Sequence, residues 1–121
     1  RCYHITRSDI RRITVDHSLV QLMVDRGELT DEEARVYPGR NYITRAVGTE
    51  PTVESDIFAI GVERGDALLL SSDGLHNEVG DQEILFEVVH GVNNDNCCQR
   101  LLEIADMRGS PDNVTCVLVL A

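Results

Sequence analysis

Positive charge is scarce in this sequence. Eleven Lys and Arg stand against 21 Asp and Glu, a formal charge of −10 over 121 residues. Nucleic acid or an anionic membrane would repel such a chain, so neither is an expected partner. The same acidity is compatible with divalent-cation binding and equally with a merely well-solvated surface. Long apolar runs are missing too, and the internal run Ala67 to Leu70 is typical of them, far below membrane length. With 42% apolar residues and no low-complexity tract, disorder is excluded and one compact domain, or part of one, is expected. No CxxC occurs among the four cysteines, and adjacent Cys97 and Cys98 do not have zinc-ligand spacing. Both fall in a helical apolar pattern, which reads as buried free thiols in a reducing, cytoplasmic setting. No signal peptide is visible in these residues. There is no initiator Met, and the chain opens at Arg1 directly into strand-like residues, as an excised portion of a longer domain would.

Cys2 to Thr6 and Ile10 to Val15 form β-type runs around Arg7-Ser8-Asp9, the pattern of a hairpin. Leu19, Leu22 and Met23 then recur at helical spacing after Asp16-His17-Ser18, and Gly27 closes that helix. Thr30 and Glu33 form a capping box that starts a second, short helix. Tyr37 to Pro51 reads as an irregular excursion, with one helical turn over Ile43 to Ala46. Val53 to Val62 is expected as a strand. Ala67 to Leu70 is a continuous apolar strand of the kind covered on both faces. Asp81 and Asp95 can each cap a helix, the second stopped by Gly109, and Val114 to Leu120 is the final strand. The order β-β-α-α-β-β-α-α-β alternates hairpins with helix pairs, which favours a layered α+β sandwich over a doubly wound sheet.

Two acidic tips stand where rigid elements meet loops. Asp73 follows the Ala67 strand and precedes Gly74, and Asp112 precedes Asn113 and the last strand. A strand end fixes a carboxylate while the loop leaves it reachable. Carboxylates and water are the ligands preferred by Mg²⁺ and Mn²⁺. Read singly, Asp-Gly and Asp-Asn are also ordinary turn and capping sequences. No Ser-His-Asp order, Cys-His pair or phosphate-cradling Gly-rich loop competes with them.

Taken together, four segments resemble the metal-dependent PP2C (PPM) protein serine/threonine phosphatases of bacterial type. Gly65-Asp66-Ala67-Leu68-Leu69-Leu70-Ser71-Ser72-Asp73-Gly74-Leu75 is similar to their GD-x-LLLCSDGL stretch. Gly109-Ser110-Pro111-Asp112-Asn113-Val114-Thr115 is similar to their terminal G-x-x-DN-x-T motif. Asp16-His17-Ser18-Leu19-Val20 and Arg40 to Gly48 resemble the segments flanking the family's flap. The resemblance implies an α-β-β-α sandwich, incomplete here, in which residues 1–121 are the C-terminal portion of one phosphatase domain and the flap segment spans about 17–50. It implies Asp73 and Asp112 as ligands of a two-metal Mg²⁺ or Mn²⁺ site, Gly74 as the tight backbone turn beside it, and Asn113 as a partner of the ligand loop. The implied reaction is hydrolysis of a phosphoserine or phosphothreonine protein by a metal-activated water, opposing a Ser/Thr kinase, with no protein nucleophile.

The family's E-x-DG-x-GG motif, which supplies the remaining metal-binding carboxylate, is absent from the 121 residues, as are its general-acid His and phosphate-binding Arg. The fragment is therefore expected to be inactive alone. Arg40 and Arg45 could attract a phosphorylated substrate or pair with local acids. His76 could contact a metal-bound water or a phosphate. His4, His17 and His90 read as structural, and the acidic run Glu28, Asp31, Glu32, Glu33 as a solvated helix start. Two other classes stay open: a non-catalytic regulatory domain of the same fold, and an unrelated acidic interaction domain with chance DG and DN turns.

Overall fold

The computed structural model describes residues 1–91 and 96–121. They form two compact units, one of residues 1–14 and 59–121, the other of residues 15–58. The first holds an antiparallel sheet in the order β2-β1-β3-β4, made of β1 (Cys2–Ile5), β2 (Ile10–Arg12), β3 (Ala67–Ser71) and β4 (Cys116–Leu120). β1 and β2 are the expected hairpin. Three helices of the same unit follow β3: α3 (Asp73–His76), α4 (Asp81–Gly91) and α5 (Cys97–Met107). They are numbered after α1 (Leu19–Asp25) and α2 (Asp31–Val36) of the second unit. The fold is mixed α+β.

Register sorts the strand residues into two faces. Tyr3, Leu69 and Leu118 lie in one row across the sheet, and Ile5, Ala67 and Leu120 in the next. Tyr3, Ile5, Ala67 and Leu69 are buried in one cluster with Leu75, Val79, Ile84, Val88, Cys97, Leu101 and Ala105 from the helical segments. Burying a side chain such as Leu69 contributes about 1.5–3 kcal/mol relative to exposure. The opposite face carries the rows Cys2, Leu70, Val117 and His4, Leu68, Val119. There Leu70, Val117 and Val119 are 45%, 53% and 48% exposed. Among the described residues only one face of β3 is covered. A continuous aliphatic run reflects which residues suit burial, and the described residues supply helices for one face only.

α4 and α5 are tied together by polar contacts as well as by packing. Glu87, itself buried, accepts from Arg100 Nε at 2.6 Å and Nη2 at 3.3 Å. Arg108 donates to Glu83 and, at 2.6 Å, to the Glu78 carbonyl. Gly91 lets α4 end against α5, because a β-carbon there would stand 3.3 Å from Cys97 Cα and Cβ. Gly109, at φ 73°, provides the expected stop after α5.

In the second unit the two helices start as their sequences require. Ser18 Oγ accepts from Gln21 N at 3.2 Å, capping α1, and Gly27 follows its end with φ 72°. Thr30 and Glu33 make the reciprocal capping box of α2, whose first turn is acidic and exposed.

Four expectations are corrected. Val53 to Val62 is not a strand: it has no ladder partner among the described residues, and Ile57 is 92% exposed. Ile43 to Ala46 is not helical, because Tyr42 O and Thr44 N pair with the backbones of Leu19 and His17, which keeps this stretch extended. Asp81 is the first residue of α4 rather than its cap. The short helix α3, which Asp73 and Gly74 open, is absent from the expected element order, with Asn77 N donating to Asp73 O at 2.9 Å. Asp95 lies outside the described residues.

Candidate metal centre

The end of β3 and the approach to β4 are joined strand to strand. Ser71 pairs with Cys116, and one residue further Ser72 N donates to Thr115 O at 2.9 Å. The Ser72 hydroxyl continues the join, accepting from Thr115 N at 3.0 Å and reaching Asn113 O at 3.4 Å. Beyond it the backbones touch. A β-carbon on Gly74 would stand 2.2 Å from Asn113 O and 3.2 Å from Val114 Cγ2, so only glycine fits there. Ser110 Oγ closes the other side, donating to Gly74 O at 3.3 Å and lying 3.4 Å from Asp112 O. The segments 72–74 and 110–115 thus form one seam, and Asp73 and Asp112 both belong to it.

Both carboxylates are exposed. The Asp73 side chain has no hydrogen-bond or ion-pair partner among the described residues, while Asp112 Oδ1 accepts from Asn113 N at 2.7 Å. Hard oxygen donors at a fixed backbone seam suit Mg²⁺ or Mn²⁺. Two carboxylates are nevertheless a partial ligand set, and no group of three or more His, Cys, Asp or Glu gathers among the described residues.

The remaining site candidates fall elsewhere. His76 is buried at the end of α3, its Nδ1 3.2 Å from Ser71 Oγ. Arg40 is exposed, and its side chain makes no hydrogen bond or ion pair among the described residues. Arg45 donates to Asp56 Oδ1 at 2.9 Å and to the Glu54 carbonyl at 3.1 Å, the local pairing that sequence left as one alternative. Asp56 also meets His17 Nε2 at 2.6 Å, and these two partners, His17 foremost, hold its carboxyl below the usual range. A cleft of 610 Å³ in the second unit is lined by Asp16, His17, Arg45 and Asp56 among others. His4 is matched to Asp66 at 2.8 Å, and His90 bonds to Phe86 O at 2.7 Å. All three histidines read as structural do have partners.

Asp56, Ser72, Ser110 and Thr115 were not singled out by sequence. Ser72 lies in a stretch of ordinary turn composition, and its role depends on a residue far along the chain. The visible signal was only its position between a buried strand and Asp-Gly.

No protein-family model matches the chain. The protein phosphatase PhpP of Streptococcus pneumoniae is 36% identical over 115 residues, 95% of this chain and 47% of PhpP. The serine/threonine phosphatase structure from S. agalactiae superposes with a TM-score of 0.88 at 33% identity, covering all of this chain and 50% of that one. This chain is a homologue of the bacterial PP2C-type serine/threonine phosphatases. It spans about half the length of the streptococcal relatives it matches. The catalytic domain of the phosphatase PstP, solved with two manganese ions, matches at TM-score 0.74 and 35% identity, over 98% of this chain and 48% of that one. The expected α+β class and family resemblance are thereby met. No helix among the described residues is long and apolar enough to cross a membrane.

Proposed function

We propose that the seam carries half of the metal site of a protein serine/threonine phosphatase. The observation behind this reading is the close fit of Gly74 against Asn113, which sets Asp73 and Asp112 on touching backbones in a homologue of PP2C-type enzymes. Asp73 and Asp112 would each offer carboxylate oxygen to Mg²⁺ or Mn²⁺. When bound, such ions supply Lewis acidity toward water and the phosphoryl group. Gly74 and the Ser72 and Ser110 hydroxyls hold the two acidic segments at fixed spacing, so that ion binding costs little reorganisation. Asn113 fixes the Asp112 carboxylate through its own N–H. The substrate class is a phosphoserine or phosphothreonine protein, the product of a Ser/Thr kinase. Exposed Arg40 is better placed than Arg45 to meet its charge, since Arg45 is engaged by Asp56. The rest of the ligand set comes from the part of the protein outside these residues, and the setting is cytoplasmic.

The test is hydrolysis of a phosphothreonine peptide and of para-nitrophenyl phosphate by the native protein, with Mn²⁺, with Mg²⁺ and with chelator. Turnover that requires the metal and is abolished by Asp112→Asn is expected. Metal-independent turnover would overturn the assignment. A folded protein that turns over neither substrate would instead favour a non-catalytic regulatory role for the same fold.

A further inference from the structure

The helix α1 buries none of its residues, although its sequence LVQLMVD is mostly apolar. Gln21, Leu22 and Asp25 follow the cap Ser18 at spacings of three, four and seven, so they share one helix face. That face lines the 610 Å³ cleft of the second unit, and the segment Ser55 to Phe58 lines it too. The segment is pinned in place. Asp56 Oδ2 lies 2.6 Å from His17 Nε2, and Asp56 Oδ1 accepts from Arg45 at 2.9 Å. Arg45 also donates to the Glu54 carbonyl at 3.1 Å.

We infer that this cleft is a docking site for a peptide segment of a protein partner in which basic residues stand next to aliphatic ones. Two features of the lining select that chemistry. Val15, Leu22 and Phe58 stay about half-exposed there, and Ile57 is almost fully exposed, so apolar surface is on offer. The charged lining consists of three carboxylates, Asp16, Asp25 and Asp56, against one guanidinium, Arg45, and the imidazole of His17. Both cationic groups are engaged by Asp56, while Asp25 accepts from the uncharged amide of Gln21 at 2.8 Å. The cleft therefore holds more negative than positive charge.

Arginine and lysine match such a lining, because their aliphatic stems cover apolar surface while their charged heads stay near solvent and carboxylate. A neighbouring leucine or valine of the same segment would add contact with Leu22 and Phe58. Pockets for small ligands and side-chain clusters span about 300–1,000 Å³, so the volume suits a few side chains rather than one ion. A phosphate or a nucleic acid would meet the surplus of carboxylates instead. The pinned segment also lowers the ordering cost of binding, since one side of the cleft is fixed before the peptide arrives.

The inference does not depend on the phosphatase reading, and its test reads binding alone. The probe is a short fluorescein-labelled peptide of alternating leucine and arginine, titrated with the native protein and followed by anisotropy. A leucine-glutamate peptide serves as the comparison. Tighter binding of the arginine peptide is expected. Asp25→Asn should weaken it about threefold, as the loss of one exposed charge pair does. Phe58→Ala should weaken it about tenfold, as the truncation of an aromatic anchor does. Glu32→Gln, on the exposed acidic start of α2 outside the cleft, should leave it unchanged. A benzophenone-bearing version of the peptide should cross-link within residues 15–25 or 55–58. Equal binding of the two peptides, wild-type affinity in Asp25→Asn, an equal loss in Glu32→Gln, or cross-links confined to other segments would each overturn it. So would a cleft that takes no peptide because a second copy or another part of the native protein covers it. Asp25 is exposed, so its variant keeps the test decisive even where Phe58→Ala fails to fold.

Discussion

The carbonyl of Asn113 occupies the position that a side chain on Gly74 would need: an added β-carbon would lie 2.2 Å from its oxygen. Glycine here serves a close approach between two backbones. Its neighbours Asp73 and Asp112 inherit their relative placement from that contact.

Gly74→Ala should therefore push the 110–114 segment away from α3. The strain is of the overpacking kind, about 1–3 kcal/mol. The contacting atoms are backbone, which cannot rotate aside. A lowered unfolding midpoint together with weaker Mn²⁺ binding by calorimetry is expected. Wild-type metal affinity in a folded Gly74→Ala protein would break the link between the seam and the site.

Asp73→Asn separates a ligand from a helix-opening residue. Asn is also well tolerated at a helix start, so the fold should persist. The lost charge should cut Mn²⁺-dependent turnover of a phosphopeptide by orders of magnitude. Near-normal turnover at saturating Mn²⁺, with an unchanged circular dichroism spectrum, would assign Asp73 to a structural role.

Ser72→Ala removes the hydroxyl that accepts from Thr115 N and reaches Asn113 O. The expected cost is about 1 kcal/mol, the net worth of a typical hydrogen bond. Equilibrium urea unfolding of the native protein measures it. Stability unchanged would mean that water replaces the hydroxyl at no loss.

Much of this arrangement was legible in the sequence, and its gaps have physical causes. Capping chemistry is local, so the starts of α1 and α2 could be read from Ser18 and from Thr30 with Glu33. The hairpin and the last strand were visible in their β-branched and aliphatic runs. Val53 to Val62 misled because apolar composition resembles a strand even where no ladder partner lies among the described residues. The extended Ile43 stretch depends on backbone pairing with residues 17–19, which no local pattern encodes. At the proposed site, Asp73 and Asp112 are candidates that their positions beside strands suggest, but Ser72 and Ser110 act across long sequence separation. Partners of that kind, like Asp56 for His17, come from tertiary structure rather than spacing.

Acid should weaken the fold partly through Asp66. Its carboxyl lies below the ordinary carboxylate range because it accepts from Glu63 N, and secondly because of His4. A depressed folded value means that this stabilisation is fully present above the unfolded value of about 3.9 and is lost as pH falls through the folded one. Asp66→Asn should flatten the acid limb of the unfolding midpoint plotted against pH, with little change in the slope at neutral pH. An acid limb identical to wild type would show that other carboxylates control it.

The last prediction concerns the 121-residue chain by itself. Leu70, Val117 and Val119 stand about half-exposed on one sheet face, with Leu68 partly buried between them. β2 and β4 are the edge strands of that sheet. An apolar face bordered by open edges invites association. The same chain offers two carboxylates at the seam, and a hard ion held so sparsely keeps most of its waters and binds weakly. Purified alone, the chain should therefore be oligomeric or loosely packed, bind a hydrophobic dye, and show no phosphatase activity with Mn²⁺. Replacing Leu70 and Val117 by Thr should reduce the association, because both side chains lie on the exposed row and neither belongs to the buried cluster. Size-exclusion chromatography, dye fluorescence and a Mn²⁺ assay on one preparation test all three outcomes. A dye-silent monomer with robust metal-dependent turnover would show that the exposed face needs no cover and that two carboxylates suffice for the chemistry.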